Sequence, residues 1–229
     1  MPAPSKKSYH HGDLRGALIE SVAKLARDSN SIQLTVKDLT SDVGVTPAAF
    51  YRHFGSVEEL LSEVRIEGLE LFEAAEREAL KVSSTNSVER VEGLIRAYVR
   101  FAATYPGHFR IMTDSEVARM PNAKMKDRPA LALVAQAIED GQRLNEISAG
   151  NQKDIAIAAW AAVHGLSGLF ANGPLRAVLD HRPARAKQLE DVLVNLICRG
   201  LTTPLTMKVI RNSAGNMART VPPPGSKTR

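Results

Sequence analysis

From Leu14 to Leu201 the apolar residues return at three- and four-residue intervals, and one stretch, 155–171, is apolar on nearly every side of the helix that this interval implies. A helix without a polar face must be covered all round. The chain therefore has to pack helix on helix, and the expected class is all-α. No run alternates with the period of two that a half-buried strand needs, and no internal repeat is present. Within 155–171 only His164 and Ser167 break the apolarity, while Ala158, Ala161, Ala162, Gly165 and Gly168 are small enough to let another helix approach closely. At 229 residues the chain exceeds the usual single core of about 100–150 residues, so two packed units or one elongated helical domain are expected.

Punctuation between the stripes predicts the elements. Asp13 N-caps a stripe of Leu14, Ala17, Leu18, Ser21, Val22 and Leu25, which Asp28-Ser29-Asn30-Ser31 ends. Thr35 and Asp38 have capping-box spacing ahead of Val36, Leu39 and Val43. Gly44 suits a left-handed C-cap, and Thr46-Pro47 places a cap and a first-position proline at the start of a third helix. Ser56-Val57-Glu58-Glu59 opens a long fourth helix. Further stripes follow: Val88 to Ala102, a short piece at Phe109 to Met112, then 131–138, 155–171 and 189–197, giving about nine helices.

Charge narrows the function less than its total suggests. The net +5 equals the five cations after Thr203, in a tail (204–229) that has no acid and contains Pro222-Pro223-Pro224. That tail reads as unstructured, either a nonspecific attraction for DNA or a solubilising end. Residues 56–80 are acidic, with eight Glu against two Arg, and read as a solvated helix face rather than as paired catalytic carboxylates, since no nucleophile or glycine-rich phosphate cradle accompanies them. No enzyme is expected. His10 and His11 lack the carboxylate or cysteine partners of a metal site, so neither metal nor cofactor is expected. The single cysteine, Cys198, reads as a buried, inert thiol, and with no apolar leader or bilayer-length apolar run the expected location is cytoplasmic, with no membrane contact.

The informative spacing is at residues 35–54. Two helices joined by a tight glycine turn and packed on a preceding helix make a helix-turn-helix DNA reader. In that geometry the N-terminal end of the second helix faces base edges and needs small or polar groups, as Thr46, Pro47, Ala48 and Ala49 provide. Phe50 and Phe54 anchor inward, leaving Tyr51, Arg52 and His53 for DNA.

The stretches Tyr9-His10-His11-Gly12-Asp13-Leu14-Arg15, Leu39 to Thr46 and Phe50-Tyr51-Arg52-His53-Phe54 resemble the N-terminal domain of tetracycline-repressor-like (TetR family) regulators over roughly residues 9–72. Trp160 to Gly165 resembles a Trp…His-Gly segment of one subgroup. The resemblance implies a homodimer on a partly palindromic operator in double-stranded DNA, with a C-terminal pocket whose small-molecule effector weakens DNA binding. It assigns Lys37 and Pro47 to Ala49 to bases, and Thr35, Thr46, Tyr51 and His53 mainly to the backbone. Val57 stands where the family commonly has a contacting lysine, so Arg52 or Lys6-Lys7 is expected to compensate. Thr40 stands where a small alanine is usual.

The expected organisation is a helix-turn-helix domain at 9–55 and a helical effector and dimerisation domain at 57–203. Helix 8 (155–171) and helix 9 (about 186–201) would pair with their twofold copies. Tyr98, Phe101, Phe109, Met112, Trp160 and His164 are the candidate effector-pocket residues; for each, plain core is the alternative. A ligand-independent architectural DNA binder, or a dimeric interaction module without an operator, is the alternative function.

Overall fold

The structure is a computed structural model that describes residues 13–28, 32–82, 86–114, 129–171, 175 and 182–202. Among them are nine helices and no strand: α1 Leu14–Asp28, α2 Val36–Val43, α3 Pro47–Phe50, α4 Val57–Val82, α5 Ser87–Thr104, α6 Pro106–Thr113, α7 Pro129–Arg143, α8 Gln152–Ala171 and α9 Pro183–Thr202. Lys6, Lys7, His10 and His11 and the basic tail lie outside the described residues.

Local chemistry sets most boundaries. Asp13 accepts from Gly16 N at 2.8 Å, starting α1. Thr35 and Asp38 close a reciprocal capping box, and Gly44 takes φ +78° as its N–H returns to Thr40 O at the other end of α2. Ser56 accepts from Glu59 N, but the Glu59 carboxylate reaches back one residue further than a standard box, to Gly55 N at 2.7 Å. Asn86 and Asn151 cap α5 and α8. The Tyr105-Pro106-Gly107 break ends α5, and Pro106 immediately serves as the first residue of α6.

Three hydrophobic clusters follow the chain. The first joins Leu18 and Val22 of α1, Leu39 of α2, Phe50, Phe54, and Leu60, Leu61 and Val64 of α4, and it also takes in Ile111 of α6. The last joins α5, α7, α8 and α9 through Val91, Ile95, Ile138, Val163, Phe170 and Val194. Phe72, Phe101 and Phe109 bridge the two. α4, about 39 Å long at 1.5 Å per residue, runs from the first cluster into the body. α5 is central there, and Arg96 ties it to α9 through Glu190 at 3.1 Å and Asp191 at 2.7 Å.

Two expectations are corrected here. By length and composition α8 could cross a bilayer, contrary to the reading that no run does. Its apolarity is used otherwise: one face, with Ala156, Ala159, Val163 and Phe170, packs into the body, while Ile157, Ala158, Ala161, Ala162, Gly165 and Leu169 are exposed on the single chain. Second, the acidic face of α4 is not uniformly solvated. Glu76 falls one turn after Phe72 on the inward side and is buried, 2% exposed.

Candidate functional site

At the N-terminal end the turn from α2 to α3 is built by residues that cannot be exchanged freely. Gly44 supplies the left-handed backbone, and Thr46 Oγ1 caps α3 by accepting from Ala49 N at 3.3 Å. α3 itself is one turn, and Tyr51 to His53 form a turn rather than the continuous helix expected. The physical reason is a shift of hydrogen bonds to the shorter i to i+3 pattern, with His53 N donating to Phe50 O at 2.9 Å. Phe50 and Phe54 point into the core with ring centroids 6.0 Å apart. Thr35, Lys37, Thr46, Pro47, Ala48, Tyr51, Arg52 and His53 are exposed and Ala49 is half-buried, so every expected DNA-contacting residue is at or near the surface of one local unit. Tyr51, 58% exposed, is braced edge-on against Phe50.

The two threonines differ in what they can still offer. Thr35 Oγ1 donates to Asp38 Oδ2 at 2.6 Å, spending its proton within the cap. That bond, with the backbone donation from Thr35 N, holds the Asp38 carboxyl below its ordinary range. Thr46 only accepts, so its hydroxyl proton remains available to a phosphate oxygen.

The scaffold behind the turn is fixed by polar links from α1. Asp42 of α2 accepts from Ser21 at 2.8 Å and from Lys24 at 2.5 Å. Burial acts to raise the Asp42 carboxyl, but these bonds outweigh it and hold the group low. Arg15 reaches Glu63 of α4 at 2.7 Å. Thr40 fits in place of a smaller residue by donating to Val36 O at 2.8 Å. Val57, half-buried, packs against the first cluster and offers no cation at the start of α4.

The six residues expected around an effector lie in one connected region but do not line one cavity. Tyr98, Phe109, Trp160 and His164 form a ring stack, with Tyr98 Oη 2.8 Å from His164 Nδ1 and His164 4.9 Å from Trp160 between centroids. Phe101 joins through Phe72 at 5.2 Å, fully within the core. Met112 packs against the Phe72, Phe101 and Phe109 cluster and lies beneath Gly68 at the contact of α4 with α6, away from the cavity wall. Tyr98 and Trp160 line a cavity of about 20 Å³ with Leu94, Leu131, Val134 and Glu76. Sequence reading missed Glu76; its four-residue spacing from Phe72 and from Gly68 before it was the available signal. Burial, with Glu73 nearby, raises its carboxyl to about 7.

A larger apolar trough, about 370 Å³, lies between α8 and α9 and is lined by Ile155, Ala158, Leu196, Ile197 and Leu201. A β-carbon placed on Gly165 or Gly168 would meet nothing within 4 Å. Cys198 of α9 is half-buried, and that burial pushes its thiol up to about 11.

Comparison with known proteins fits these two regions. Residues 31–64 match the model of bacterial regulatory proteins of the tetR family, and residues 91–192 match that of the tetracyclin repressor-like C-terminal domain; together they take in more than half of the chain. The chain belongs to the TetR family. Its N-terminal unit is accordingly that family's helix-turn-helix DNA-binding domain. The TetR-family fold recurs in the transcriptional regulator PfmR of Thermus thermophilus, with a TM-score of 0.65 and 24% identity over 82% of this chain and 96% of that one. It recurs also in the ketosteroid transcriptional regulator KstR2 of Mycobacterium tuberculosis, with a TM-score of 0.67 and 19% identity over 88% of this chain and 98% of that one. The nucleoid occlusion factor SlmA of Marinomonas sp. (strain MWYL1) is 31% identical over 113 residues, 48% of this chain, and the chain spans 56% of that relative's length.

Proposed function

We propose that the protein is a non-enzymatic, cytoplasmic transcriptional repressor that binds a partly palindromic operator as a homodimer and is released by a small-molecule effector. The observation that carries this reading is the α2–turn–α3 unit, where Phe50 and Phe54 are buried while Lys37, Thr46 to Ala48 and Tyr51 to His53 are exposed. Lys37 and Pro47 to Ala49 meet base edges. Thr35, Thr46, Tyr51, Arg52 and His53 hold phosphates, with Thr46 a better donor than Thr35 and Arg52 standing in for the cation that Val57 lacks. A good base contact is worth about 1–3 kcal/mol of discrimination, whereas phosphate contacts add salt-dependent affinity without sequence choice.

Residues 9–55 read DNA and residues 57–203 sense the effector and dimerise. The exposed apolar sides of α8 (Ile157, Leu169) and α9 (Val192, Leu196) support pairing of these helices with their twofold copies. Effector binding shifts the population of dimers away from the spacing that matches two half-sites one helical turn apart, through α4 and the α6–α1 contact. Selection of bound sequences from random duplex DNA, with the full chain and with Tyr51→Ala, tests the reading. A palindrome weakened by the substitution is expected. No enriched motif at moderate salt would move the assignment to an architectural DNA binder or a dimeric interaction module.

A further inference from the structure

Glu76 is a buried carboxylate in a place where no folding role accounts for it. Its Oε2 is shut off from solvent and has no hydrogen-bond partner among the described residues. It lies on the wall of the small cavity between α4, α5, α7 and α8, and the other described wall residues, which include Leu94, Ile95, Leu131, Val134, Trp160 and Tyr98, hold neither Lys nor Arg. The Tyr98 hydroxyl is already engaged with His164. A buried acid left without a partner costs free energy, which a leucine at the same position would avoid and an uncharged glutamine would lessen. A ligand that brings a positively charged donor to Oε2 recovers that cost only in the bound state, and a differential of this kind is what an effector needs in order to shift a population.

We propose that the effector site is this cavity, opened by its ligand, and that the ligand is an apolar molecule carrying one protonated amine, which pairs with Glu76 while its body lies against Trp160 and Tyr98. This deepens the effector half of the proposed function and rests on it. The cationic head is selected twice. Among the described residues nothing on the walls neutralises the carboxylate, and Glu73 adds negative potential nearby. The faces of Trp160 and Tyr98 attract a cation as well. An anionic head meets no counter-charge among the described wall residues and is disfavoured. At about 20 Å³ the cavity holds no more than about one water, so entry of the ligand must separate its walls. Those walls come from four helices, and α4 leads directly to the DNA-reading unit.

Trp160 is the only tryptophan and lines the cavity, so its fluorescence reports occupancy without DNA. The full chain is titrated with 4-phenylbutylamine, 4-phenylbutan-1-ol and 4-phenylbutyrate, which share a body and differ in the head. The amine is expected to bind saturably and at least tenfold more tightly than the alcohol, and the carboxylate most weakly. Glu76→Gln is expected to lose that tenfold preference while Glu70→Gln, at an exposed position of the same helix, keeps it. Equal binding of amine and alcohol, preference for the carboxylate, an undiminished preference in Glu76→Gln, or no saturable change with any probe up to millimolar concentration would overturn the proposal. The head-group ranking in the unmodified chain decides the matter even if Glu76→Gln folds poorly. Release from the selected operator is measured separately. An operator released by other compounds but not by the amine refutes the amine and leaves the regulator reading standing, whereas absence of any operator refutes that reading alone.

Discussion

Glu76 also has a consequence for stability that needs no ligand. Its carboxyl is raised from about 4.5 to about 7 by burial, so the folded chain binds this proton more tightly than the unfolded chain does. Stability from this group is complete below about pH 4.5, declines as the pH rises towards 7, and is flat above. At roughly 1.4 kcal/mol per pH unit the loss is on the order of 3 kcal/mol as an upper figure. Among the described residues the groups facing it are Glu73 on its own helix and Tyr98 on α5, and those that α7 and α8 contribute to the cavity wall are uncharged. Glu76→Gln is expected to flatten this part of the profile, raising the melting temperature at pH 8 and changing it little at pH 5, as thermal denaturation at the two pH values will show. At the opposite end, Thr46→Val should weaken operator affinity more than Thr35→Val after correction for stability, because only Thr46 keeps an uncommitted hydroxyl proton. Fluorescence anisotropy at two salt concentrations checks this, and equal losses would count against the backbone role of Thr46.

Among the elements, α6 has the closest fit. A β-carbon on Gly107 would lie 1.9 Å from the carbonyl oxygen of Ala23, so α6 rests backbone on backbone against α1. Arg110 secures the same contact by donating to Ala26 O at 2.7 Å. Because the obstacle is main chain, Gly107→Ala cannot be absorbed by a rotamer change and is expected to cost about 3 kcal/mol, the upper end for overpacking. Urea denaturation measures it. Arg110→Met should cost less but loosen the link between effector body and DNA-reading unit, reducing inducer response while leaving uninduced operator affinity within a few fold. A titration of operator release by the inducer separates the two effects. Gly44→Ala, forced into φ +78°, is expected to cost about 1–2 kcal/mol and to reduce DNA affinity by disturbing the turn itself.

On the scale of the whole molecule, the exposed apolar surface of α8 and α9 is the feature a single chain leaves unresolved. Ile157, Val192 and Leu196 are half or more exposed, and small residues beside Ile157 leave room for a second helix. Ile157→Glu with Leu196→Glu is expected to give a monomer by sedimentation and to weaken operator binding by at least a hundredfold, since each half-site is then bound alone. The α2–α3 turn in this variant should remain folded, because neither residue touches the first cluster. A variant that stays dimeric would place the interface elsewhere.

Much of this was legible in the sequence because it depends on near neighbours. The capping box at Thr35 and Asp38, the left-handed Gly44, the proline opening α3 and the inward pair Phe50 and Phe54 each involve residues within a few positions of one another, where sequence spacing is spatial spacing. The family resemblance at residues 9–72 rests on this local unit. Periodicity could not say which side of an all-apolar helix meets its own body and which a second chain, so α8 was legible as a helix needing cover but not as one half-covered here. Nor could it show that Glu76, one of eight acids between residues 56 and 80, is turned inward: that follows from where α5, α7 and α8 arrive around α4. The effector candidates divided for the same reason. Tyr98 and Trp160 share a cavity wall and Met112 does not, because contacts between helices far apart in sequence depend on how whole elements dock.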